Sequence, residues 1–267
     1  MNAIAKVMAE QWKHTDLIVR MSMYEMKSKY NMHYLGMFWQ LLNPLTQIGL
    51  YWFVFGLGIR GGAPVGDTPF FLWLIAGLVP WLFISPAVLQ ASNSVYARVN
   101  LVSKMKFPVS VLPSIKIMEN AVSLFVMLGI SIFIFILNGA FSGLYVLQLL
   151  YYIVCLYVLL IGLTLLLSTL STIIRDVQSM LQSIMRMMMF LLPILWNVNS
   201  MPDVMVNILK LNPFFYIIEG FRSSLVGGSW FYQDIPYMLY FWSVSFLILF
   251  IGCHVHIKFR HKFVDYL

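Results

Sequence analysis

Charge is what this sequence has least of. Of 267 residues, 10% are charged, against 61% hydrophobic and 16% aromatic, and the mean hydropathy is +0.83. A soluble domain carries about a quarter charged residues, so the polar side chains here are too few to cover a globule in water. Cysteine is nearly absent too. Cys155 and Cys253 each lie in an apolar run, which supplies neither a disulfide framework nor a zinc site and reads as two small buried thiols. No G-x-x-x-x-G-K-[ST] phosphate loop and no H-E-x-x-H occurs, and the acidic residues are scattered singly. No catalytic residue, metal or cofactor is therefore expected on this chain. His254 and His256, two apart, point in different directions on a helix; with His261 they read as an extension of the cationic flank of the last apolar run. No internal repeat or low-complexity tract divides the chain, which reads as one membrane domain.

What is present is hydrophobic length. Six stretches reach the roughly 20 residues that a bilayer core demands: 35–59, 70–96, 115–137, 144–169, 180–198 and 235–257. The first two contain Asn43-Pro44, Pro80 and Pro86, read as kinks or as sites where neighbouring helices satisfy freed carbonyls. The net charge of +7 is patterned by side and does not form a nucleic-acid patch: of 17 Lys and Arg, only Arg60, Lys210 and Arg222 fall on one face of the alternating loops. The positive-inside rule then puts both termini in the cytoplasm. The expected fold is an all-α integral membrane protein: a cytoplasmic amphipathic interface segment (1–33), a six-span domain (34–258) and a cytoplasmic tail (259–267). Residues 1–33 lack the apolar core of a cleavable signal, so the first span is expected to act as the anchor. Lys13, Asp16, Arg20 and Lys27 share one helical face beside Leu17, Met21 and Tyr24, which suits a membrane interface or a partner protein.

Three features invite a functional reading. Glu119 and Arg186 lie at similar depth in the third and fifth runs, so they either pair between helices or stay apart, Glu119 with Lys116 and Arg186 snorkelling. The five-residue stretch Met185–Met189 is four-fifths methionine, a soft surface that suits sliding or ordinary packing. The basic loop 98–109 carries Leu101, Val102, Met105 and Phe107, apolar residues that a plain connector does not need. Ended by Pro108, it reads as a short helix for a groove on a soluble partner or for anionic lipid. Residues 211–222 are apolar yet too short to cross, and Gly227-Gly228 follows. That pattern suggests a re-entrant hairpin, with Glu219 and Arg222 paired at i, i+3.

Four segments carry a family likeness: KYNMHYLGMFWQLLNPLTQIGLYWFVFGLGI within 20–60, NLVSKMKFPVSVLP at 100–113, RDVQ at 175–178 and LNPFFYIIEGFRSSLVGG at 211–228. In this order they resemble the membrane subunits of ABC-2 type polysaccharide and teichoic acid exporters. The likeness is greatest to the wall teichoic acid permeases of Gram-positive bacteria, ahead of those for O-antigen or capsule. The resemblance implies a multi-pass protein of the bacterial cell membrane that works as a homodimer with two copies of a separate ATPase subunit. ATP and Mg would be bound by that partner. It further implies an ATPase-contacting coupling helix that includes Asn100, Leu101, Lys104, Met105, Lys106, Phe107 and Pro108, with Arg175 and Asp176 as a second contact. Two small re-entrant helices would form an extracellular gate containing Asn212, Pro213, Phe214, Phe215, Tyr216, Glu219 and Arg222. The implied cargo is a lipid-linked polymer with a polyprenyl diphosphate head, for which Trp52, Phe55, Phe70 and Trp73 are candidate channel aromatics. A drug or lipid ABC-2 exporter is the near alternative. A membrane transferase would need clustered acids or histidines, and an ion channel a charge ring or carbonyl filter.

Overall fold

A computed structural model describes residues 3–31, 34–59, 61–98, 107–198 and 201–263. Among them the chain is all-helical, and the only β pairing is an isolated bridge between Val65 and Thr68. The α-helices are α1 (Ala3–Lys13), α2 (Thr15–Tyr30), α3 (Trp39–Tyr51), α4 (Phe70–Ser92), α5 (Val111–Leu137), α6 (Gln148–Ile173), α7 (Asp176–Leu191), α8 (Asp203–Lys210), α9 (Pro213–Val226) and α10 (Ile235–Phe259). A π-helical segment, Trp52–Ile59, continues α3.

Helix α4 is apolar all round and accordingly central, packed against α5, α6, α7 and α9. Helices α6 and α10 lie along one another. A Cβ on Gly252 would sit 2.2 Å from the Gly162 carbonyl oxygen, and one on Gly162 would sit 2.6 Å from the Leu249 Cα. With no hydrophobic force between helices in lipid, such backbone contact is what associates them. Both cysteines are buried free thiols. His256 departs from its expected place on a cationic flank: it is fully buried, with Nδ1 3.0 Å from the Thr169 hydroxyl of α6.

Among the described residues, four helical segments are long and apolar enough to cross a bilayer: α4, α5, α10, and α6 with its leading turn from Gly143. Helices α8 and α9, bent by 102° at their junction, make a fifth if counted as one span. The remaining two expected runs are interrupted. The first changes pitch at Trp52. The fifth stops at Leu191, because Pro193 drives Leu192 out of the helical region to φ −77°, ψ 150°.

The N-terminal helices dock on the protein itself. Ile18 of α2 is buried with Val95, Val111, Ile115 and Phe263. Glu10 of α1 accepts from the Ser110 hydroxyl at 2.5 Å and from Arg260 at 2.9 Å, while Gln11 donates to the Ser110 carbonyl at 2.8 Å. Burial works to raise the Glu10 pKa, but the Ser110 hydroxyl and the Arg260 guanidinium outweigh it and hold the carboxyl below its ordinary range.

Two outcomes test this packing. Gly252→Leu forces α6 and α10 apart and lowers the melting temperature in detergent, at a cost of about 1–3 kcal/mol; Gly129→Leu, with open space around its Cβ, leaves it unchanged. Because the folded Glu10 pKa is depressed, its contribution to α1 docking is complete above the unfolded value and is lost as pH falls through the folded one. Hydrogen exchange of the α1 amides therefore rises on acidification, and Glu10→Gln shows fast exchange already at neutral pH.

Candidate functional site

Polar side chains of α3, α4 and α5 converge on one groove. It lies between α3, α4, α5 and α7, encloses about 370 Å³, and is entered beside Lys29 at the end of α2. Gln40, Asn43 and Gln47 of α3 line it; their i, i+3, i+7 spacing puts them on one helical face. Across from them stand Gln90 of α4 and Asn120 and Ser123 of α5. Gln40 donates to the Ser123 hydroxyl at 2.8 Å, and Asn120 donates to Gln90 Oε1 at 3.1 Å. Pro44 and Pro86 also line the groove, and neither can donate to the carbonyl one turn earlier, that of Gln40 or of Leu82. The cations at the groove are Lys29 and Arg186, and no carboxylate is among its lining residues. The lining therefore offers positive charge, amides and the indoles of Trp39 and Trp81.

Arg186 is exposed and donates to Ser183 at 3.2 Å. Glu119 is buried and ion-paired at 2.7 Å with Lys116 on its own helix. The interhelical Glu119–Arg186 pair is thus not formed in this chain. Lys116 stands one turn from Glu119, already fixed at 2.5 Å by Glu25 of α2, which also binds Arg98. The methionines split by face: Met185 and Met189 line the groove, Met188 accepts from Asn212, and Met187 is exposed.

The far end of the groove abuts the α8–α9 elbow, where Trp81 packs edge-on to Phe214. Helix α9 is capped at both ends: the Asn212 side chain accepts from the Phe214 amide at 3.0 Å, Pro213 takes the first turn, and Gly227 closes it at φ +90°. From its middle, Arg222 points into the protein, 6% exposed. The guanidinium binds Glu219, donates to the Pro193 carbonyl at 2.6 Å and lies 3.8 Å above the Trp73 ring. It occupies the space that Gly77 leaves, where a Cβ would be 2.3 Å from Nη2. Cation–π, ion-pair and carbonyl contacts together replace the hydration this charge has lost.

Several expected residues take other places. None of the four candidate channel aromatics lines the groove. Phe70 and Trp73 are buried, Trp73 serving as the platform for Arg222; Trp52 stands edge-on to Phe71, and Phe55 rests on Tyr51. Phe215 and Tyr216 are buried, Tyr216 with its hydroxyl 3.1 Å from that of Tyr151. Asn100, Leu101, Lys104, Met105 and Lys106 fall outside the described residues, whereas Phe107 packs on the cluster around Ile18, and Pro108 accepts from the Val111 amide at 3.0 Å. Arg175 lies 3.2 Å over the Tyr96 ring, and Asp176 opens α7 beside it. The amide face of α3 and the Glu25–Arg98 contact went unread in the sequence. The spacing of Gln40, Asn43 and Gln47 was the available signal for the first; nothing local signalled the second.

A family model described as ABC-2 type transporter matches residues 16–226. The chain is 26% identical over 253 residues to an O-antigen export system permease protein RfbA of Klebsiella pneumoniae, covering 94% of this chain and 95% of that one. A second Klebsiella pneumoniae protein of the same name is 24% identical over 255 residues, with the same coverage. The protein of that name from Myxococcus xanthus is 29% identical over 115 residues, 43% of each chain. A match that takes in nearly all of α2 through α9, on a bundle of membrane-length helices, makes the chain a multi-pass membrane protein that belongs to the ABC-2 type transporter family.

Proposed function

We propose that this chain is the membrane subunit of an ATP-driven exporter of a lipid-linked surface polymer. It works in the bacterial cell membrane with both termini cytoplasmic. The carboxylate-free polar groove carries the reading: a diphosphate head cannot cross hydrocarbon unaided, and Lys29 and Arg186 provide charge of the sign it needs. The amides and indoles suit hydroxyl-bearing units behind the head. In this reading, α3 with its π-helical continuation and α7 with residues 192–198 supply the first and fifth of six crossings, and α8–α9 are re-entrant at the outer surface. Exposed Leu45, Leu50 and Phe53 on the first crossing and Met180, Met187 and Phe190 on α7 present the apolar area for a second copy beside the groove. Two copies of a separate subunit bind and hydrolyse MgATP, seated against residues 100–108 and Arg175-Asp176.

Force would pass through α2. Glu25 grips Arg98 immediately before residues 99–106, and Glu10 and Gln11 grip Ser110 just after. A displacement of the intervening segment by the ATPase therefore moves α2, and with it Lys29 at the groove entrance. At the far end, Arg222 holds the closing α8–α9 elbow to α4 and to the end of α7.

The first cargo reading is wall teichoic acid, from the four sequence segments. The second is an O-antigen-type glycan, favoured by the names of the Klebsiella and Myxococcus relatives. Reconstitution with the ATPase in vesicles decides between them by which lipid-linked polymer stimulates ATP hydrolysis and crosses. In that assay Lys29→Gln/Arg186→Gln is expected to weaken polymer stimulation about tenfold, the equivalent of one lost charge-assisted contact, and leave unstimulated hydrolysis intact; unchanged stimulation overturns the groove as the path. Arg222→Ala leaves the Pro193 carbonyl and Glu219 unpaired, costing about 3–5 kcal/mol. It is expected to lower the melting temperature and make vesicles leak small solutes.

A further inference from the structure

A second cleft lies at the opposite end of the molecule from α1. Glu10 of α1 holds Arg260 just past the C-terminal end of α10, whereas this cleft opens at the N-terminal end of the same 25-residue helix, roughly 37 Å away at 1.5 Å per residue. It encloses about 390 Å³ between α8, α9, the start of α10 and residues 229–231. We infer that this cleft is a saccharide-binding site that takes pyranose rings of the polymer chain, distinct from the groove between α3 and α7.

Three observations carry the assignment. The walls are aromatic: half-buried Trp230 and Tyr237, backed by the buried rings of Tyr152 and Tyr216, and aromatic surface of this kind packs on the apolar C–H side of a sugar ring. Between them stand hydroxyl-binding groups of both signs, Lys210, Glu219 and Asp234, whereas the groove has cations without carboxylates. That difference separates the two ligands: with Glu219 paired to Arg222 and Asp234 offset by Lys210, the cleft offers a diphosphate head no net positive charge, while a neutral polyol uses groups of both signs. The cleft is also prebuilt. Gln148, 2% exposed, donates to the Ser229 carbonyl at 3.2 Å and accepts from the Phe231 amide at 2.7 Å, so the segment bearing Trp230 is clamped. Trp230 is further held against Tyr145, with ring centroids 4.9 Å apart. On the facing wall, the Tyr237 hydroxyl donates to the Lys210 carbonyl at 3.2 Å, and Tyr216 stacks on Phe241 at 4.6 Å. Aromatic rings fixed in this way bind without an ordering cost.

The export reading supplies the word polymer; the existence of the site does not depend on it. The test uses the full chain with its ATPase in lipid nanodiscs free of glycoside detergent. Water-soluble oligomers of mannose, galactose, rhamnose and N-acetylglucosamine, and a glycerol phosphate oligomer as the sugar-free polyol, are titrated by saturation-transfer NMR and calorimetry. The expected result is binding of at least one pyranose oligomer, with saturation strongest on one face of the ring. Binding weakens about tenfold in Trp230→Ala, the loss of a single stacking platform, and is unchanged in Trp12→Ala. Lys29→Gln/Arg186→Gln leaves this binding intact even where it abolishes stimulation by lipid-linked polymer, so failure of the groove and failure of the cleft are read separately. Binding of the glycerol phosphate oligomer alone, binding that Trp230→Ala does not alter, or no binding by any pyranose oligomer overturns the assignment.

Discussion

A guanidinium removed from water needs partners for its charge, and Arg222 takes them from three places in the chain. Glu219 comes from its own helix, the Pro193 carbonyl from the end of α7, and the Trp73 face from α4. Pro193 ends α7 by forcing Leu192 into an extended conformation, which leaves a carbonyl with no helical donor. Arg222 supplies that donor. Gly77 is required for the same reason, since any side chain there would occupy the position of the guanidinium. The break in α7, the bend between α8 and α9 and the small residue in α4 are thus one arrangement around one charge.

The groove follows the opposite rule. Several buried serines and threonines elsewhere in the bundle bond back to their own helices, whereas the amides on α3, α4 and α5 are gathered where they bond across helices: Gln40 to Ser123 and Asn120 to Gln90. Pro44 of α3 and Pro86 of α4 fall on the same groove. Backbone irregularity in a membrane protein is tolerated where it lines a cavity, so the kinks and the amides report the same surface. Its floor is rigid and its walls are soft. The floor is α4, and the walls include Met185 and Met189, whose unbranched chains repack at little cost.

Much of this was legible because it is local. The stop of α9 at Gly227 acts within a turn of where it stands in the sequence, and so does the Glu219–Arg222 pair. Hydropathy located α4, α5, α6 and α10 because each is a single uninterrupted apolar run. It gives no sign of the break inside 180–198, because it weighs side chains and is blind to what Pro193 does to the backbone of Leu192. Depth along two helices suggested Glu119 with Arg186, but depth carries no azimuth, and Lys116 one turn away is nearer. His256 was misread for the same reason: its neighbours in sequence are a polar flank, while its neighbour in space is Thr169 of α6. The stacking of Arg222 on Trp73 joins helices far apart in the chain and leaves no periodic trace.

The same distinction orders the cytoplasmic end. Read alone, α1 and α2 are amphipathic helices for any interface. In the fold, two of their three acidic residues hold the two flanks of residues 99–106: Glu25 of α2 binds Arg98 before them and Glu10 of α1 binds Ser110 after. Glu25 also holds Lys116, which holds Glu119, so α2 is fixed to α5 by charge as well as by Ile18. Helix α2 is tied to the near flank by Glu25, packs through Ile18 on Val95 and Val111 on either side of the loop, and is joined to α1, which holds the far flank, so it moves when the loop moves. Lys29 lies on the last turn of that helix and on the lining of the groove, within two turns of Glu25. Rigid α-helix transmits displacement over so short a distance without loss, whereas the methionine-lined wall facing it yields. The cationic entrance is therefore the part of the groove whose position depends most directly on the segment the ATPase is proposed to grip.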